Sequence, residues 1–276
     1  MFPTDRLSFD SFASSAAAAA IFPPPPHPTP VAGLTVKQLD GRAKSRAVEL
    51  QSLANNDAYK RIPITEVDAE HRRSAVPTHF VDTKKRVEEG SWTYKSRVVA
   101  DGTPFFDCRE GVTTSCATAS QSTMCIALAM AFTHSDFDPR KIVVADVKTA
   151  YLTALRSDSL YIHPLKDYPD HEKFQDLWLF NRALYGLRDS GNLWDRSRNK
   201  TLAAAGWVPS SVRGIWWKWT GKPEAPTSRL LGILPTFVDD FAILPIGWSA
   251  VQLAREIAAK GGYQIKITKP KNGTFR

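Results

Sequence analysis

Apolar and polar positions alternate in short blocks along most of this chain, and two blocks break the rhythm. Residues 230–244 are apolar around an adjacent pair of acids, Asp239 and Asp240. Residues 142–147 are apolar around a third, Asp146. Ionised carboxylates among apolar neighbours are costly unless paired, hydrogen-bonded or bound to a metal. These three acids therefore stand out before any element is assigned.

The same pattern predicts the elements. From Pro77 the chain reads as globular. Residues 79–81 and 94–100 are strands around a charged turn at 84–90. Residues 117–132 are a helix, with Met124, Leu128 and Phe132 at helical spacing. A buried strand spans 141–147, and short strands span 160–163 and 177–180. Residues 189–205 form a helix stopped by Gly206, and 215–219 form a strand. Residues 230–237 and 241–244 pair as a hairpin with the two aspartates at its turn. A helix over 249–260 ends at Gly261-Gly262, and 263–268 is a last strand. This is an α+β pattern, with helices packed on one face of a largely antiparallel sheet.

The N-terminal region differs. Residues 1–35 hold an alanine run, 16–20, and six prolines between 23 and 30. Such a stretch buries too little apolar surface to fold and reads as a disordered tail. Asp5 and Asp10 precede the alanine run, so it does not read as a signal sequence. Residues 36–76 read as a peripheral helical and linker segment. The main domain is expected over 77–276.

Composition adds a partner class. The net charge of +8 points to an anionic one. Between Asn181 and Lys222 lie eight basic residues against two acidic ones, together with five of the eight tryptophans. That mixture suits phosphates and base faces, and it equally suits a solvated basic face over core tryptophans. Cys108, Cys116 and Cys125 form no CxxC pair, which argues against zinc. Free thiols fit a reducing compartment, so an intracellular location, cytoplasmic or nuclear, is expected. No apolar run approaches the roughly 20 residues needed to span a bilayer.

Carboxylates gathered from separate strands can bridge two divalent ions about 3.5–4 Å apart, as two-metal phosphoryl transfer requires. Asp146 at a strand end beside a turn carrying Asp239 and Asp240 could supply that arrangement. An Asp-Asp pair is also common in plain hairpin turns, and the residues alone leave both readings open.

The order of motifs narrows them. Asp146-Val147-Lys148-Thr149-Ala150-Tyr151-Leu152, Ala183-Leu184-Tyr185-Gly186-Leu187-Arg188 and Phe237-Val238-Asp239-Asp240 follow one another as DVKxAFL, SLYGLKQAPRAW and YVDD do in Ty1/copia-type retrotransposon reverse transcriptases. Upstream, Tyr94 to Ala100 is similar to the YKARLVAKG segment of that family, and Trp194 falls where its second motif ends. The resemblance covers roughly residues 77–268. It implies a right-hand polymerase of fingers and palm, and RNA-directed DNA polymerase activity within a Pol polyprotein. It further implies two Mg2+ or Mn2+ ions, an RNA template, a DNA primer and deoxynucleoside triphosphates.

Roles follow residue by residue. Asp146, Asp239 and Asp240 match the metal-binding, catalytic aspartates. Tyr151 matches the aromatic under the incoming sugar, which excludes a 2′-hydroxyl. Tyr185 and Gly186 match the floor of the nucleotide pocket, where glycine lets backbone approach the ligand. Lys95 and Arg97 match the fingers strand facing the triphosphate. Arg188 stands where the family has lysine, with template phosphate as its expected contact. Residues 189–192 depart from the family's QAPR, and a carboxylate, Asp189, replaces an amide. No thumb or RNase H segment is read after residue 268, so a C-terminally truncated unit is expected. The competing reading is a catalytically inactive, nucleic-acid-binding relic; oligomeric state is left open.

Overall fold

The computed structural model describes residues 35–86, 92–166, 168 and 175–270. The Ala/Pro-rich tail expected over 1–35 lies outside the described residues except for Thr35, and so does most of the turn expected at 84–90.

The central layer is a six-stranded antiparallel sheet in the order β11-β4-β10-β9-β8-β7. Its strands are β4 (Val143–Val147), β7 (Trp207–Pro209), β8 (Ile215–Trp219), β9 (Leu230–Pro235), β10 (Asp240–Pro245) and β11 (Ile265–Thr268). Period-2 alternation sorts their side chains. Phe241 and Ile243 of β10 join Val143, Ala145 and Val147 of β4 in one core, under helices α5 (Ser190–Ala204) and α6 (Ala250–Gly261). Ala242 and Leu244 point the other way, onto Met124, Ala127 and Ala131 of helix α3 (Gln121–Phe132). Helices α5 and α6 thus share one face, and α3 covers part of the other.

A two-stranded ribbon, β2 (Thr78–Arg86) with β3 (Trp92–Ala100), and a three-stranded sheet complete the fold. The latter runs β1-β6-β5, built from β1 (Tyr59–Pro63), β5 (Leu155–Ile162) and β6 (Asp176–Arg182). Helix α1 (Val36–Asn55) starts at a capping box in which Gln38 N donates to Thr35 Oγ1 and Thr35 N to Gln38 Oε1. Two short helices, α2 (Ala69–Arg73) and α4 (Ala150–Thr153), sit in connections.

Two expectations need correction. The segment over 36–76 is not merely peripheral: Leu53 and Ala58 are fully buried in the core formed by Val98, Trp178 and Phe180. Tyr59 stacks on Trp178 with ring centroids 4.1 Å apart. The polar Lys60 and Arg61 concealed β1, because an edge strand leaves such side chains in water. On α3 the buried stripe runs through Met124, Ala127 and Ala131, while Phe132 is 63% exposed against Phe137. Small alanines bring that face close to the sheet, which the spacing of larger apolar residues did not indicate.

Candidate active site

Asp146 is the fourth residue of β4, between Ala145 and Val147, both of which point into the α5/α6 core. Alternation turns Asp146 to the opposite face. Asp240 opens β10 and pairs with Asp146 across the ladder. It alternates with Phe241 and so shares the face of Asp146. The turn before it is tight: Phe237 N donates to Asp240 O at 3.0 Å, and Val147 N to Asp239 O at 2.9 Å. Asp240 therefore belongs to the strand, and only Asp239 to the turn where both were expected.

Asp239 and Asp240 each feel the neighbouring carboxylates. Burial, then Asp239 and Asp146, push Asp240 up to about 7. Burial and then Asp146 also raise Asp239, while Lys95 and Arg97 pull it down. Hard carboxylate oxygens suit a magnesium-class cation, and this mutual repulsion is what such a cation relieves. Among the described residues, however, no group of three His, Cys, Asp or Glu side chains is closed around one point at ligand spacing. The donor set fits a divalent ion without forming a preshaped cage.

Within electrostatic reach of the carboxylates stands β3. Alternation buries Ser96, Val98 and Ala100 and turns Lys95 and Arg97 the other way. Desolvation and then the neighbouring Arg97 hold Lys95 below the ordinary lysine range, against the pull of Asp146 and Asp239. The Arg97 guanidinium lies 5.3 Å from the centre of the Tyr185 ring. That ring is 4.9 Å from Tyr151, projecting from α4. Burial raises Tyr185 to about 12, and burial also raises Tyr151, with Cys116 and Asp239 adding to it. Both phenols stay neutral. The turn into α4 needs Thr149 at φ +52°, a left-handed conformation rare for a β-branched residue. The structure thus brings together Asp146, Asp239, Asp240, Lys95, Arg97, Tyr151 and Tyr185.

Gly186 and Arg188 sit differently from the expectation. Gly186 has φ +89°, and a Cβ there would fall 2.0 Å from the Ala100 carbonyl oxygen. The close approach is to β3, and Ala100 N donates to Tyr185 O at 2.8 Å beside it. Arg188 points into the loop after β3. Its Nη2 donates to the Asp107 carbonyl at 2.8 Å, and its Nε lies 3.4 Å from the Asp107 carboxylate. Asp189 is held in the same network, by Arg109 at 2.9 Å and Arg156 at 2.5 Å. The carboxylate at 189 is thus a structural ion-pair partner.

Much of the basic, tryptophan-rich segment is also structural. Trp194, Trp207 and Trp216 are buried, Arg198 is completely so, and Lys218 bonds the Ala205 carbonyl. Helical and strand periodicity put these residues inside, which a charge count does not see. Sequence reasoning missed Arg198, although its placement between Trp194 and Leu202 on the apolar stripe of α5 was a signal. It also missed Ser45 and Glu49 of α1, whose contacts with β3 are long-range. Among the described residues no helix is long and apolar enough to cross a membrane.

No curated protein matches the chain at a significant level. Among solved structures, it is similar to a foamy viral protease-reverse transcriptase in complex with double-stranded DNA, with a TM-score of 0.43 and 14% identity. That alignment takes in 91% of this chain and 34% of the viral one, so the chain spans about a third of that protein's length. A family profile described as reverse transcriptase (RNA-dependent DNA polymerase) matches residues 63–259, well over half of the sequence. The chain therefore belongs to the reverse transcriptase family, of the Ty1/copia type.

Proposed function

We propose that this protein is an RNA-directed DNA polymerase domain of a retrotransposon Pol polyprotein, joining a deoxynucleoside triphosphate to a primer 3′-hydroxyl. The observation that carries the reading is the ladder pair Asp146–Asp240, on one face, with Asp239 beside it and Lys95, Arg97, Tyr151 and Tyr185 facing it. The six-stranded sheet is the palm, and β2–β3 forms the fingers.

Asp146, Asp239 and Asp240 are the residues that would hold Mg2+ or Mn2+. Bound divalent ions make the primer hydroxyl more acidic and neutralise the leaving pyrophosphate. Lys95 and Arg97 supply positive charge on the opposite wall, where the triphosphate of an incoming nucleotide carries its negative charge. Tyr151, braced by Tyr185, would pack beneath the sugar and leave no room for a 2′-hydroxyl. With few covalent roles for side chains, positioning and charge neutralisation do the catalysis.

Extension of a DNA primer on an RNA template, with and without Mg2+ or Mn2+, tests the proposal. Metal-dependent incorporation that Asp146→Asn abolishes is the expected result. Salt-sensitive primer–template binding with no incorporation under either metal overturns it in favour of a non-catalytic nucleic-acid-binding relic.

A further inference from the structure

All five carbonyls of the turn that carries the acidic pair have a donor. Thr236 O accepts from Ala119 N at 2.7 Å, Asp239 O from Val147 N at 2.9 Å, and Asp240 O from Phe237 N at 3.0 Å. The remaining two accept from side chains of α5. Phe237 O takes Arg198 Nη1 at 3.1 Å, and Val238 O takes Trp194 Nε1. Both side chains are fully buried. Arg198 also donates to the Ala117 carbonyl at 3.0 Å and pairs with Asp195, one turn back on the helix.

An arginine buried this completely is costly unless its donors are satisfied, and an apolar residue of similar volume would often serve stability as well. Beyond its own helix, its donors end on the turn and on the segment leading into α3. The geometry of the peptide explains what that achieves. Each peptide unit is planar, so a bond to the Val238 carbonyl fixes the plane joining Val238 to Asp239. A bond to the Phe237 carbonyl fixes the preceding plane. Together they set the backbone direction from which the Asp239 side chain leaves, while Val238 itself stays exposed.

We infer that Trp194 and Arg198 are positioning residues that aim the Asp239–Asp240 pair at the palm site. Because α5 begins at Ser190, just beyond Tyr185 and Gly186, one helix ties the proposed nucleotide floor to the acidic turn. This inference rests on the polymerase reading for its catalytic consequence, and not for its structural one.

The test uses the full chain with Trp194→Phe, which keeps a smaller aromatic ring and removes the N–H donor, and with Arg198→Lys, which keeps the charge and replaces two separate nitrogen positions with one. Backbone amides of residues 236–241 and of Val147 should exchange hydrogen about tenfold faster in both variants, as expected for the loss of one net hydrogen bond. In primer extension, kcat should fall about tenfold for Trp194→Phe and further for Arg198→Lys. The Mg2+ concentration for half-maximal rate should rise, and KM for the primer–template should hold. If either variant loses its cooperative melt, benzothienylalanine at position 194 keeps the indole shape without the N–H and takes its place. Parent-like exchange at 236–241 with parent-like kcat and Mg2+ dependence overturns the inference. If the parent extends no primer, the polymerase reading fails, and the exchange rates still decide whether these side chains hold the turn.

Discussion

Asp240 of β10 stands directly across the antiparallel ladder from Asp146 of β4. Cross-strand neighbours on one face lie only about 4.5–5.5 Å apart at Cβ. Two carboxylates in that relationship, half-buried, repel one another, and Asp239 adds a third charge. A fold does not retain such an arrangement for stability.

The pH dependence of stability follows with a definite sign. Burial and its neighbours hold Asp240 at about 7, above the ordinary carboxylate value it has in the unfolded chain. Between those two values the folded state keeps a proton that the unfolded state has released. This group's contribution is therefore fully present below the unfolded value and is lost as pH rises through about 7. Thermal melts without divalent cations should show Tm falling across that window. Asp240→Asn should flatten the fall and raise Tm at pH 8 by roughly 3–8 °C. A variant that melts like the parent at pH 8 would show that Asp240 carries no such repulsion.

Gly186 should not tolerate a side chain. A Cβ would meet the Ala100 carbonyl oxygen at 2.0 Å and Val99 Cγ1 at 2.6 Å, and φ is +89°. Relief would require β3 to move away from Tyr185, which breaks the Ala100–Tyr185 backbone bond. Gly186→Ala should cost about 2–4 kcal/mol in denaturant unfolding. An ordinary loss below about 0.5 kcal/mol would mean that the two segments are not in contact.

The acidic face could be read from the chain, and the reason is local. The unbroken apolar run Ile142-Val143-Val144-Ala145 beside Asp146 already marked a carboxylate that needs a partner. The separate fates of Asp239 and Asp240 could not be read, because the strand start depends on pairing with β4, about a hundred residues earlier. Arg188 shows the same limit. Its charge was visible, but its partner, Asp107, reaches it only through the folded loop after β3. Gly186 was legible as a special backbone position, and what approached it was not. Residues whose role comes from their own strand or helix were thus readable, and residues whose role comes from a distant segment were not.

Tyr151 offers a specificity test. It projects from α4 close behind Asp146, half-buried against Tyr185. If its ring blocks a 2′-hydroxyl, truncation opens that space. Tyr151→Ala should raise ribonucleotide use relative to deoxynucleotide use by roughly ten- to hundredfold in kcat/KM. Single-nucleotide incorporation with paired dNTP and rNTP measures the ratio. An unchanged ratio would place the sugar elsewhere.

The outer edge of β3 gives the last prediction. One side of this strand pairs with β2, and the other would be an unpaired edge. Instead, α1 reaches across to it. Ser45 Oγ donates to Tyr94 O at 3.1 Å and accepts from Ser96 N at 2.8 Å, and Glu49 Oε1 accepts from Val98 N at 3.2 Å. Ala100 N, next along that edge, is taken by Tyr185 O. Helix α1 lies before the matched residues 63–259, yet it holds the strand that presents Lys95 and Arg97. Ser45→Ala should cost about 1–2 kcal/mol and raise KM for the incoming nucleotide more than it lowers kcat, since the proposed function gives β3 binding groups and no reacting ones. Glu49→Gln keeps the acceptor oxygen and should leave KM close to the parent. Glu49→Ala removes it and should raise KM as Ser45→Ala does. Steady-state incorporation at varied dNTP, beside denaturant melts, separates the two effects. A Ser45→Ala protein that loses stability while keeping its KM would make α1 a scaffold only.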